Sequence, residues 1–227
     1  MEDPWETDVR DFVLEHLASS RSRVLEIGCG AGWLTRAILE GGHDARGIDP
    51  GAPEGERFEQ VTLEKFTDPK PYDVVVAVLS LHHIGDLPAA LEKIRSLLNL
   101  GGRILVVEFA WENLDNATLR WGLERLPSDP DREENWLQRR CLEWRERLQQ
   151  GDDIAAQDHV REWAHREQLH RGKEILGSLR EGFHQTFFEW TPYLYPNLGD
   201  VTEEEEQAVI DRGEIQPAGF RFVGDLI

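Results

Sequence analysis

Residues 23–32 read Arg23-Val24-Leu25-Glu26-Ile27-Gly28-Cys29-Gly30-Ala31-Gly32 and lead straight into Trp33-Leu34-Thr35-Arg36-Ala37-Ile38-Leu39-Glu40. An apolar strand ending at Glu26 is followed by three glycines on alternate positions and then by residues with helical spacing. A turn of this kind, nearly free of side chains, lets the main chain approach a bound small molecule more closely than any Cβ would permit. It predicts a cofactor site.

The glycine spacing narrows the ligand. A loop that seats a pyrophosphate on a helix N-terminus carries glycine at its first, third and sixth positions, and the sixth position here is Trp33. A nicotinamide-dependent oxidoreductase, which shares the parallel sheet, is therefore the weaker alternative. After the Gly41-Gly42 breaker, Asp44 to Ile48 reads as a second strand with Asp49 and Pro50 at its end. An acidic residue about 20 positions beyond the glycines is where such a sheet places a carboxylate for both ribose hydroxyls.

Three more segments keep the same order. Pro71 to Leu79 is a continuous apolar run of strand length, as in a central strand covered on both faces, and Leu81-His82-His83-Ile84 follows it. Leu87 to Leu100 has helical periodicity, Gly101-Gly102 stops it, and Arg103 to Phe109 reads as another buried strand.

Together, residues 20–110 resemble the class I S-adenosylmethionine-dependent methyltransferases. The likeness is closest to the small-molecule, type 11-like enzymes with a Leu-His-His turn and a Leu-x-x-Gly-Gly-Arg-Ile segment. The resemblance implies an α/β, Rossmann-like sheet of seven mostly parallel strands with a reversed last strand, helices on both faces, and a helical cap between strands 5 and 6. It implies S-adenosylmethionine as cofactor, S-adenosylhomocysteine as product, and no metal. Gly28, Gly30 and Gly32 would shape the pocket floor and Asp49 would take the ribose. Glu26 would hold the methionine end, and Leu63, Glu64 and Leu79 would flank the adenine and methionine portions. The family commonly has an acid before its adenine-binding stretch, where this chain has Thr62, so the adenine amine would turn to Glu64 or a backbone carbonyl. His83, and after it His82, is the candidate base for an acceptor that must lose a proton. A sensor or partner subunit that keeps the pocket without turnover carries the same motifs.

Composition bounds the partners. The chain has 227 residues, 40% of them hydrophobic, enough for one full-sized core, and a formal charge of −19 from 44 acidic and 25 basic residues. That charge repels phosphate backbones and anionic membrane surfaces, which disfavours nucleic acid and membrane partners. Without a bilayer-length apolar stretch or a secretory leader at Met1 to Trp5, a cytoplasmic protein is expected. Two cysteines, Cys29 and Cys141, are too few for a disulfide framework. Monomer and homodimer remain equally open.

One methyltransferase domain over residues 1–227 is expected, with a cap at about 111–182 and strands at about 184–227 completing the sheet. Between Phe109 and His184 the pattern turns helical and charged, with five of the eight tryptophans: Trp111, Trp121, Trp136, Trp144 and Trp163. Most would pack the cap, and one or two would reach a small-molecule acceptor pocket. Pro127 and Pro130 would break the cap before a helix from about Arg132 to Gln149, and Asp152 or Asp153 would cap the next. His159, His165 and His170 lack metal-ligand spacing. Phe183 to Tyr195 and Ala218 to Ile227 read as strands around a helix from about Thr202 to Arg212, whose acids Glu203 to Glu206 read as a solvated first turn.

Overall fold

Why the glycine turn and the histidine turn become neighbours follows from strand order. In the computed structural model, which describes residues 4–18, 21–127 and 135–227, seven strands form one sheet in the order β3-β2-β1-β4-β5-β7-β6. Their ranges are β1 Arg23–Ile27, β2 Asp44–Asp49, β3 Phe58–Gln60, β4 Tyr72–Val78, β5 Leu98–Phe109, β6 Phe183–Thr191 and β7 Gly219–Leu226. The strands β3, β2, β1, β4 and β5 pair in parallel, and β7 is reversed. The chain winds outward one way through β2 and β3, then crosses to β4 and β5 on the other side of β1. Open parallel sheets bind ligands at that reversal, outside the carboxyl ends of the strands.

The chain divides into two compact units, one comprising Met1–Glu108, Lys173–Glu189 and Arg221–Ile227, the other Phe109–Gly172 and Trp190–Phe220. In the first, α1 (Pro4–His16) and α2 (Trp33–Glu40) pack on one sheet face. Val9, Phe12, Val13, Leu34 and Ile38 meet the alternate residues Val24, Val74, Val76, Leu105 and Val107 there. Leu25, Val75, Ala77, Ile104 and Val106 on the opposite face are fully buried as well. Burial on both faces explains why these strands read as unbroken apolar runs. The helix α3 (Leu87–Leu97) starts on Asp86, whose side chain accepts from the Ala89 amide, and α7 (Gly172–Gly182) leads into β6.

Sequence spacing runs α3 on to Leu100, but the helix stops at Leu97. Leu98 is extended and pairs with Tyr72 in β4, so β5 begins five residues before Arg103. Sheet pairing there overrides local helical periodicity.

The second unit contains α4 (Asn116–Leu123), α5 (Trp136–Gln149), α6 (Ala156–Arg166) and α8 (Glu203–Asp211). Asp115 and Asn135 cap α4 and α5, their side chains accepting the otherwise unpaired amides of Thr118 and Gln138, each at 2.8 Å. The expected break at Pro130 and start at Arg132 lie outside the described residues. Neither Asp152 nor Asp153 caps α6: its N-cap is Ala155, and the Asn116 side chain accepts from the Ala156 amide. Thr202 and Glu205 form a reciprocal capping box on α8. Trp111 and Trp144 are buried, their indole N–H groups donating to His170 O and Ile154 O at 3.0 Å.

Candidate active site

All three motif glycines have positive φ: Gly28 +73°, Gly30 +48° and Gly32 +77°. A Cβ on Gly28 would fall 2.5 Å from Ser80 Cβ, and one on Gly32 would fall 2.4 Å from the Phe58 ring. Both therefore need glycine for space as well as for conformation. A Cβ on Gly30 would meet nothing within 4 Å. The turn is tied to the second strand because Gly28 and Cys29 both donate their amides to Ile48 O, at 2.8 and 3.1 Å. Asp49, one residue on, accepts the Gly30 amide at 3.3 Å and the Gly51 amide at 2.6 Å.

A cavity of about 290 Å³ opens beside this turn, within the first unit. Gly28, Asp49, Leu63, Glu64, Leu79 and His83 are on its wall, as are Thr62 and Ser80. Six of the residues expected from sequence thus meet at one place. Glu26, Gly30, Gly32 and His82 lie off that wall, and so does Trp33, which packs edge-on against Trp5 at 6.2 Å. Hydrogen bonding from Thr62 holds the Glu64 carboxyl below its ordinary range. Ser80 Oγ is buried on the cavity wall without a hydrogen-bond partner. An orphaned hydroxyl and an anchored carboxylate beside a bare glycine turn fit a polar ligand that carries hydroxyl donors, as a nucleoside does.

Glu26 is interior, only 3% exposed, with the Thr35 hydroxyl donating to its carboxylate. Burial pushes the Glu26 carboxyl up to about 7 against the opposing Thr35 hydrogen bonds. Burial first, then the neighbouring acids Glu26 and Asp49, drives the Cys29 thiol up to about 12, which makes it a packing residue rather than a nucleophile.

The two histidines separate. His83 reaches the cavity wall, whereas His82 is buried and its Nδ1 lies 2.7 Å from Glu108 Oε2. Glu108 is fully buried, and its Oε1 accepts the amides of Leu81 and His82 at 2.6 and 3.3 Å. Sequence reading missed Glu108, although an acid inside the apolar run Arg103 to Phe109 is itself a signal, since a buried carboxylate requires donors. Leu79 adopts φ +48°, a left-handed conformation that costs a non-glycine residue about 1–2 kcal/mol.

In the second unit Phe109, Trp136, Trp163 and Tyr193 form a continuous aromatic group. Phe109 stacks on Tyr193 at 4.7 Å, Trp136 lies 5.1 Å from Phe109, and Trp136 stacks on Trp163 at 5.9 Å. The Arg140 guanidinium lies over Trp163 at 5.4 Å. His159 is buried with Nε2 3.1 Å from Arg140 O, and burial lowers its pKa. Glu206 departs from the expected solvated turn: it is fully buried and accepts the amides of Tyr193, Leu194 and Tyr195. Among the described residues no group of three or more His, Cys, Asp or Glu side chains could hold a metal ion, and no helix is long and apolar enough to cross a membrane.

Known proteins share the fold. A family model described as a methyltransferase domain matches residues 5–171. An uncharacterized methyltransferase of Geobacillus kaustophilus is 30% identical over 128 residues, covering 50% of this chain and 59% of that protein. The chain spans about half the length of the curated relatives it matches. Among solved structures, the N-methyltransferase NodS of Bradyrhizobium japonicum, crystallised with S-adenosylhomocysteine, superposes with a TM-score of 0.55 at 12% identity, covering 99% of this chain and 89% of that one. The 1,6-didemethyltoxoflavin-N1-methyltransferase of Burkholderia thailandensis gives 0.57 at 17% identity, covering 99% and 79%. The chain belongs to the methyltransferase-domain family, and its fold is that of the class I S-adenosylmethionine-dependent methyltransferases.

Proposed function

We propose that this protein transfers a methyl group from S-adenosylmethionine to an oxygen, nitrogen or carbon atom of a small-molecule acceptor by in-line displacement. The observation that carries this reading is the Asp49 carboxylate seated on the Gly30 amide, in the wall of a cavity that Gly28 also lines and that holds an unpartnered Ser80 hydroxyl. Asp49 keeps lone pairs free on both oxygens for two ribose hydroxyls. Leu63 and Leu79 supply apolar walls for the nucleoside, and Glu64 and Thr62 supply acceptors at its adenine end. Gly28, Gly30 and Gly32 leave the main chain bare for the amino-acid end, which Glu26 supports from behind the turn.

S-adenosylmethionine, when bound, supplies a methyl group already activated by a sulfonium. The residues of the chain then have two tasks, alignment of an acceptor lone pair and, where the acceptor carries a proton, its removal. His83 is the side chain placed on the cavity wall for the second task. His82, engaged with Glu108, is the poorer candidate.

For the acceptor, the half-buried rings of Trp136, Trp163 and Tyr193 support a planar or apolar small molecule. The formal charge of −19 opposes nucleic acid and anionic membranes as partners and suits a cytoplasmic enzyme. The segment of about 111–182 is the proposed acceptor-binding insertion of a single methyltransferase domain.

Calorimetry with S-adenosylhomocysteine tests the cofactor reading, and incubation of S-adenosylmethionine with a metabolite pool tests turnover by mass spectrometry. Fluorescence titration with reduced nicotinamide tests the oxidoreductase alternative. Binding of the homocysteine product without any methylated product would indicate a sensor.

A further inference from the structure

We propose that Glu108 is a positioning residue for the wall of the cofactor cavity, acting from behind it through the Leu81-His82 turn; the proposal rests on the cavity being the cofactor site. Leu79, Ser80, His83, Ile84 and Gly85 form one side of the cavity, and neither Glu108 nor His82 reaches it. Two consecutive residues of β5 hold that segment. Val107 O accepts the Leu79 amide at 2.8 Å, and the Glu108 carboxylate takes the amides of Leu81 and His82 on one oxygen and the His82 ring on the other.

Such a grip explains two features that local sequence does not. Leu79 stays in the left-handed region without being glycine, which requires the surrounding structure to over-determine it. Ser80 Oγ stays aimed at the glycine turn without a partner, although a looser turn would let it rotate toward water. A carboxylate accepting from the ring also fixes the His82 tautomer with its proton on Nδ1. The His82 and His83 rings lie 4.2 Å apart at a tilt of 42°, so fixing the first limits where the second can point. Glu108 thereby sets His83, the cavity-wall imidazole, without touching any ligand.

Glu108→Ala removes the whole grip, whereas Glu108→Gln keeps an oxygen for the two amides but presents an N–H₂ to the ring, forcing the His82 proton onto Nε2. For Glu108→Ala, the dissociation constant for S-adenosylhomocysteine, read by calorimetry, is expected to rise about tenfold or more, with faster hydrogen exchange at the Leu81 and His82 amides. Glu108→Gln is expected to restore affinity to within about threefold of wild type while its His82 ¹⁵N shifts report the changed tautomer. Wild-type affinity in Glu108→Ala, or an Nδ1 without its proton in the wild-type protein, would overturn the proposal. Should Glu108→Ala fail to fold, His82→Leu leaves the amide bonds in place and is expected to keep the Leu81 amide slow to exchange and S-adenosylhomocysteine affinity within about threefold of wild type, and fast exchange at Leu81 or a tenfold loss of affinity there would overturn the amide grip. A wild-type protein that does not bind S-adenosylhomocysteine sinks the cofactor reading instead, and the tautomer measurement, which needs no ligand, then decides the grip by itself.

Discussion

The Asp49 carboxylate sits on the Gly30 amide at 3.3 Å, so the end of the second strand and the middle of the glycine turn are fixed to each other before any ligand arrives. The second oxygen is held by the Gly51 amide at 2.6 Å. Preorganised acceptors of this kind lose little freedom when a diol binds. Asp49→Ala removes both ribose acceptors at once and is expected to weaken S-adenosylhomocysteine by about 2–4 kcal/mol, roughly 30- to 1,000-fold. Asp49→Asn, which keeps one acceptor oxygen, should lose less. Isothermal calorimetry on the three proteins orders them, and equal affinities would remove Asp49 from the site.

Gly30 separates folding from binding. Its φ of +48° makes alanine mildly strained, at a cost of about 1 kcal/mol, but a Cβ there meets no protein atom within 4 Å. Gly30→Ala is therefore expected to shift the thermal midpoint by only about 2–4 °C while blocking the bare main chain against which the ligand would lie. Gly28→Ala and Gly32→Ala, driven into Ser80 and Phe58, should lose stability first. Differential scanning calorimetry with and without S-adenosylhomocysteine distinguishes the two behaviours.

Glu26 makes stability depend on pH in an identifiable window. Its carboxyl moves from 4.5 to about 7 through burial, so the native chain keeps a proton that the unfolded chain has already released. Stability from this group is complete below pH 4.5, declines as pH rises, and has been lost above about 7, a total of about 3 kcal/mol. Glu26→Gln should abolish that decline. Subtracting its urea-denaturation curve from that of wild type, between pH 4.5 and 8, isolates the effect, and parallel pH profiles would show that Glu26 is ionised throughout.

How far the sequence could be read depended on whether a residue's partner was near it in the chain. The strand, turn and helix from Arg23 to Glu40 announce themselves through local apolar runs and glycine spacing, and the helix bounds Trp33 and Glu40 are those observed. Asp49 was legible because the register of a parallel sheet fixes where a strand-end carboxylate goes. Leu98 was not, because its extended conformation comes from pairing with Tyr72, 26 residues earlier. His83 ahead of His82 at the cavity is the order the sequence suggested, but the reason His82 turns away, its ring contact with Glu108, was out of reach because the carboxylate lies 26 residues further along. The helix α1 left no motif at all: its Asp8 meets Arg221 across almost the full length of the chain.

Glu206 shows the same limit in the acidic stretch Glu203 to Glu206, where four like residues read alike and one of them is buried. Its carboxylate takes the Leu194 and Tyr195 amides at 2.9 and 2.6 Å on Oε2, and the Tyr193 amide at 3.0 Å on Oε1. These donors belong to the segment that follows β6 and positions Tyr193 against Phe109. Burial raises the Glu206 carboxyl despite the three amides, so the ionised group has no solvent to fall back on. Glu206→Ala strands all three buried N–H groups and is expected to cost about 3–5 kcal/mol. Glu206→Gln retains an acceptor oxygen and should cost less than half as much, whereas Glu204→Ala, at an exposed position on the same turn, should stay within about 0.5 kcal/mol of wild type. Urea denaturation of the three variants measures the difference directly. Tryptophan fluorescence adds the local readout, because release of the 193–195 segment should change the emission of Trp136 before the global transition; a Glu206→Ala protein as stable as Glu204→Ala would mean that the amides find other partners.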